Sequence, residues 1–154
     1  MSRNEIKRTL VQFYNRHAYT HTYILGFVFD GVVYYVTIDG SDLDLVTVLD
    51  KASRGAGFAL RFKPNKSVKA YLLALGAKAL CSEAFFNDLV AMSKYNRGEI
   101  FEKLVTEISG QTWEKDNVPF TEDGDLTVDG IAYQLKFEKA TFINEAQMMR
   151  MARA

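Results

Sequence analysis

Asp125, Gln134 and Lys136 are of the types that metal or phosphate chemistry uses. A carboxylate binds a hard cation, an amide carbonyl supports it, and an ammonium offsets negative charge developing on oxygen. Whether they meet depends on the Asp129-Gly130 pair that lies between them. Asp-Gly is a strong hairpin signal, because a type I′ turn needs positive φ at both central residues. Around that turn Val128 pairs with Ile131, Leu126 with Tyr133, and Asp125 with Gln134. The pleat then gathers Leu126, Val128, Ile131, Tyr133, Leu135 and Phe137 on one face. Asp123, Asp125, Thr127, Gln134 and Lys136 share the other. An ordinary ribbon with one wet face has the same pattern. Spacing alone therefore leaves two readings open: a structural hairpin, or a site for one metal ion or phosphate.

The order of these parts resembles the PD-(D/E)XK nuclease superfamily. That family places an Asp at the start of one strand, an acid or amide-x-Lys on the next, and a Glu-bearing helix upstream. Here the parts are Asp125, then Gln134-Leu135-Lys136, then the helix Gly98-Glu99-Ile100-Phe101-Glu102-Lys103-Leu104-Val105. The helix is similar to the Phe-Glu-x-x-Val helix that opens many such nucleases. Gln134 departs from the usual Glu or Asp, and in this Gln-x-Lys variant the chain resembles Mrr-type restriction enzymes. The resemblance implies Mg²⁺ (or Mn²⁺) held by Asp125, the Gln134 amide oxygen, the Leu135 carbonyl and Glu102, directly or through water. It implies that Lys136 orients the attacking water or stabilises developing charge. The implied activity is metal-dependent cleavage of DNA phosphodiesters, with a homodimer as the expected assembly. A neutral amide at position 134 also admits a catalytically inactive relative that binds a partner protein.

Composition bounds the rest. The 154 residues are 48% hydrophobic and 25% charged, enough for one domain with a proper core. The single Cys81 excludes an intramolecular disulfide framework and a cysteine-rich zinc site, and suits a cytoplasmic location. No apolar run approaches the roughly 18 residues of a membrane span, and the polar opening residues do not read as a signal peptide. The formal net charge is zero, which argues against a general polyanion-coating protein. The distribution is uneven. Residues 51–70 carry Lys51, Arg54, Arg61, Lys63, Lys66 and Lys69 without an acid, whereas residues 99–129 carry nine acids against Lys103 and Lys115. A basic segment paired with an acidic one fits an enzyme that grips phosphate in one place and a cation in another. Arg61, Lys63, Lys66 and Lys69, interleaved with Phe62 and Tyr71, are the expected nucleic-acid contacts, with Arg150 and Arg153 as lesser ones. Solvated lysines are the plain alternative. His17 and His21 stand four apart, a spacing that on one helix can hold a metal, but no Glu lies between them and the segment is entering a strand.

Periodicity places the elements. Residues 3–17 read as an amphipathic helix on Ile6, Leu10 and Phe13. Residues 23–29 and 32–38 form a second hairpin around Asp30-Gly31, apolar on both faces and therefore central. Ser41 opens a helix reaching residues 50–52, residues 58–63 alternate as a strand, and Ser67 starts a helix carrying Val68, Leu72, Leu75 and Ala79. Helices follow over residues 82–92 and 98–109, the latter stopped by Gly110. A strand near residues 112–120, the key hairpin, and a helix from about Phe142 with Asn144 as a possible cap complete the chain. The expected fold is α/β: a mixed sheet flanked by helices. Its restriction-endonuclease-like half is residues 95–154, with residues 1–94 as a hairpin and helix extension in one compact body. The family adds a further strand after its last helix. Here that strand is either missing or supplied by the N-terminal part.

Overall fold

Both Asp-Gly pairs make the turns their chemistry dictates. In the computed structural model, which describes residues 2–17, 21–55, 57–113 and 125–153, φ is +50° and +75° at Asp30 and Gly31. It is +52° and +79° at Asp129 and Gly130. The first turn joins β1 (Thr22–Phe29) to β2 (Val32–Ile38), and the second joins β6 (Leu126–Val128) to β7 (Ile131–Phe137). The second register is the expected one for Val128 opposite Ile131 and Leu126 opposite Tyr133, but the pairing ends there. Asp125 does not pair with Gln134 and instead bonds the Tyr133 carbonyl and the Leu135 N–H.

The fold is a mix of helices and two sheets. A five-stranded mixed sheet runs in the order β5-β2-β1-β7-β6, where β5 is Lys78–Ser82. Its centre is a parallel pair, β1 beside β7, that sets Tyr23 next to Gln134 and Leu25 next to Lys136. Strands from both ends of the chain therefore share one sheet. The second sheet is antiparallel, in the order β3 (Thr47–Lys51), β4 (Phe58–Phe62), β8 (Ala140–Asn144).

Helices cover both faces of the larger sheet. On one face α4 (Glu83–Met92) and α5 (Arg97–Ile108) set Phe86, Ile100, Phe101 and Val105 against Ile24, Leu126, Leu135 and Phe137. On the other, α1 (Arg3–His17) and the second sheet set Leu10, Tyr14, Leu60 and Phe142 against Tyr23, Leu25 and Phe27. Each such side chain contributes about 1.5–3 kcal/mol when fully buried. Gly26 is required where α5 crosses β1, because a Cβ there would lie 2.3 Å from the Phe101 ring. The helices start on side chains that cap them. Asn96 and Glu99 form a capping box on α5, and Ser82 accepts from the Phe85 amide at 3.1 Å to open α4. Asn65, rather than Ser67, caps α3 (Lys66–Ala74).

Three sequence expectations are corrected. The helix from Ser41 ends after the single turn Leu43–Val46 (α2), and Thr47–Lys51 is strand β3. The alternation of buried Thr47 and Leu49 with outward Val48 suits a sheet, and pairing with β4 outweighs local helical preference. Phe142 lies in strand β8, and α6 (Glu145–Ala152) begins only after the Asn144 cap. Ala79 lies in β5, beyond the end of α3. The strand expected near residues 112–120 falls outside the described residues from position 114 onward.

Candidate functional site

β6 is only three residues long, so it stops pairing at Leu126 while β7 continues to Phe137. The Leu135 N–H thus projects past the end of its neighbour. The Asp125 carboxylate takes the missing partner's place, with Oδ2 accepting from that N–H at 2.9 Å. The Asp125 N–H in turn donates to the Tyr133 carbonyl at 2.8 Å, holding the residue against β7. Within a strand the N–H and C=O of one residue point the same way. The Leu135 carbonyl therefore opens on this same edge, beside Asp125.

Lys136 projects from the sheet face opposite Leu135 and is half-buried beneath α1 and β8. Its ammonium lies 5.9 Å from the centroid of Tyr14 and 5.5 Å from that of Phe142, within range of both ring faces. It also lies 3.5 Å from the Thr141 carbonyl oxygen. Desolvation lowers the Lys136 pKa from its ordinary 10.5, while the carboxylates of Asp125 and Glu102 act in the opposite direction. Two acids from separate elements, one at the start of β6 and one on α5, thus bear on one lysine. The Tyr14 hydroxyl feels Asp125 as well: burial raises its pKa most, then Tyr23, then Asp125. Glu102 is placed by Trp113, whose indole Nε1 donates to its Oε1 at 3.2 Å. Trp113 meets Tyr95 edge to face at 4.9 Å.

Gln134 is 5% exposed and lies 3.2 Å, through its Nε2, from the Nδ1 of His21, itself 6% exposed. An amide nitrogen only donates, so in this contact the ring nitrogen Nδ1 is the acceptor. That bond fixes which way the amide faces and turns its oxygen away from His21. Phe142 reaches this region because β8 is irregular: Leu60 pairs with Ile143 but Arg61 with Thr141. The extra residue is Phe142, and both it and Ile143 turn inward.

Other sequence candidates lie elsewhere. Arg61 and Lys63 share the Asp50 carboxylate on the second sheet, at 3.6 and 3.4 Å. Lys69 is committed to the sheet, donating to the Val28 carbonyl at 2.6 Å and pairing with Glu138 at 3.4 Å. Lys66 is exposed on α3, and Arg150 and Arg153 are exposed near the end of the chain. His17 stacks on Phe13 at 4.0 Å while His21 turns to Gln134, so the two histidines do not act as a pair. Cys81 is half-buried and burial pushes its thiol up, which makes it a poor nucleophile. Asp123 lies outside the described residues, as does the side chain of Arg54.

The oxygen donors expected from the sequence for a cation are the Asp125 carboxylate, the Leu135 carbonyl, the Gln134 amide and the Glu102 carboxylate. Among the described residues no three His, Cys, Asp or Glu side chains gather as a metal centre. The set instead offers hard oxygens with few carboxylates, which suits Mg²⁺, a cation that keeps several waters and takes one or two carboxylates from a protein. His21, Tyr14, Phe142 and Trp113 were not identified as site residues from the sequence. They are remote from Lys136 along the chain or carry no motif, and only the parallel β1–β7 pairing and the β8 irregularity bring the first three in. No helix is long and apolar enough to cross a membrane among the described residues. Comparison with protein-family models, curated proteins and solved structures finds no match to this chain.

Proposed function

We propose that this protein is a metal-dependent nuclease of the PD-(D/E)XK type, cleaving DNA phosphodiesters with Mg²⁺ or Mn²⁺. The observation that carries this reading is the open edge of β7, where the Asp125 carboxylate sits on the Leu135 N–H at 2.9 Å, one residue from Lys136. A second support is topological. The family's further strand has a counterpart in β1, which lies parallel to β7 and is preceded by α1.

In this mechanism Asp125, the Leu135 carbonyl, the Gln134 amide oxygen and Glu102 are the residues that would hold the cation. The bound cation acidifies water and neutralises charge on the phosphate. The chain's own residues do the positioning. His21 holds the Gln134 amide in place through its Nε2. Tyr14 and Phe142 restrict the Lys136 ammonium to a narrow range of positions. A lysine with a lowered pKa exchanges a proton closer to neutrality than a solvated one, which suits a group that orients attacking water. Function as a homodimer is part of the proposal, because two such sites cut both strands of a duplex.

The test is cleavage of linear, supercoiled and branched DNA by purified protein with Mg²⁺ or Mn²⁺, beside Lys136→Ala. Cleavage by the wild type alone supports the reading, and uncut DNA in every case ends it. The burial of Gln134 against His21 favours one rival, a nuclease-fold protein that binds a protein partner without catalysis. Gln134→Glu separates them, since retained or increased cutting belongs only to the enzyme.

A further inference from the structure

The outward face of the three-stranded sheet carries a cleft of about 270 Å³ lined by Lys51, Ser53, Arg61, Thr141 and Asn144. We propose that this cleft binds a backbone phosphate of the nucleic-acid strand. The identity of the strand rests on the nuclease reading, whereas the affinity of the cleft for a phosphodiester does not.

Four observations carry the assignment. The first is the chemistry of the walls: two cations, two hydroxyls and one amide, with no carboxylate among the lining residues. Phosphate oxygens accept hydrogen bonds from all of these groups. The second is the state of Arg61. Its Nη2 donates to the Lys139 carbonyl at 2.8 Å and its Nη1 lies 3.6 Å from Asp50, so the guanidinium is held in place. Its Nε is buried without a protein partner. A guanidinium fixed by these two contacts still has N–H groups left over on its Nη atoms, and one of them can donate to a phosphate oxygen at the cleft.

The third is charge. Asp50 faces the cleft's edge but is shared by Arg61 and Lys63, and Lys51 adds a third cation. Glu145, the nearest acid on α6, uses its Oε1 to accept from the Phe58 N–H at 2.8 Å. The balance stays positive. The fourth is position. Thr141 lines the cleft, and its carbonyl is the one nearest the Lys136 ammonium. The cleft and the proposed catalytic lysine thus flank the same strand, β8.

The experiment is fluorescence anisotropy of a labelled 20-nucleotide DNA in EDTA, where no cutting occurs. Arg61→Ala should weaken binding about tenfold and lower the salt slope by about one. Ser53→Asp, which puts a negative charge at an exposed lining position without touching the core, should weaken it at least as much. Arg8→Ala, an exposed change on α1, should leave it unchanged. Circular dichroism checks that each variant is folded. Wild-type affinity in both Arg61→Ala and Ser53→Asp overturns the proposal. So does an effect of those variants on inorganic phosphate binding alone, which would mark a free-anion site. Strand binding through the cleft with no cleavage under any metal would sink the nuclease reading and leave this inference standing.

Discussion

The two hairpins share a turn and differ in almost everything else. Asp30-Gly31 and Asp129-Gly130 adopt the same left-handed pair of conformations. The first joins strands that pair over seven positions, from Phe29 opposite Val32 to Tyr23 opposite Ile38. The second pairs over three, because β6 stops at Leu126. Equal turn chemistry thus yields one closed ladder and one with an open edge. The closed hairpin lies inside the sheet and its aromatics serve packing: Phe27 and Tyr23 are fully buried, and Phe27 stacks on Tyr34 at 5.7 Å. The open hairpin spends a carboxylate on the Leu135 N–H that β6 leaves unpaired, and the Leu135 carbonyl opens on the same edge. A strand that ends early creates unmet polar groups, and those are where ligands and catalysis find a place.

The largest separation of the hairpins should come from their acids. Asp125→Asn keeps an oxygen for the Leu135 N–H but removes the charge, and should reduce cleavage by about 10²–10⁴ with little change in melting temperature. Asp30→Asn, at the matching turn of the other hairpin, should leave single-turnover cleavage rates unchanged. Lys136→Met should abolish cleavage by a similar factor while keeping the contact with Tyr14 and Phe142. Equal rates for Asp125→Asn and Asp30→Asn would erase the functional contrast.

Next in size is the geometry behind the first hairpin. Gly26→Ala forces a Cβ into the Phe101 ring and should destabilise the protein by about 1–3 kcal/mol in urea denaturation. His21→Ala strands the buried Gln134 amide and should cost about 1–3 kcal/mol. It should also weaken Mn²⁺ binding by about 10–100-fold in calorimetry, as loss of a ligand-orienting partner does elsewhere. Unchanged metal affinity would make His21 a packing residue only.

The smallest effect is a pH dependence. Lys136 has a folded pKa below its unfolded 10.5, so between those values the unfolded chain binds more protons. Its penalty on stability is full below the folded pKa and fades as pH rises from there towards 10.5. Tyr14 and Tyr23, whose pKa values are raised, act in the opposite sense above about 10. Comparing wild type with Lys136→Met at each pH isolates the lysine. The gap between their melting temperatures should narrow from pH 7 to pH 10, and a constant gap would show the ammonium to be well solvated.

Much of this was legible from local signals. The two Asp-Gly turns, the helices over Arg3–His17, Glu83–Met92 and Arg97–Ile108, and the register that puts Leu126 opposite Tyr133 all depend on residues close in the chain. Turn conformation, capping and apolar period are short-range effects, and they fix which side chains share a face of β7. What covers those faces is a long-range matter. The sequence pattern made the Gln134 and Lys136 side look wet, but the parallel pairing of β1 with β7 brings His21 and α1 over it. The irregularity in β8 adds Phe142. Strand β3 and strand β8 escaped notice for the same reason, since a short segment takes its state from its partner strand. Local chemistry chose the hairpin and its residues, while the burial of Gln134 against His21 and the lowered Lys136 pKa came from segments that only the folded chain makes neighbours.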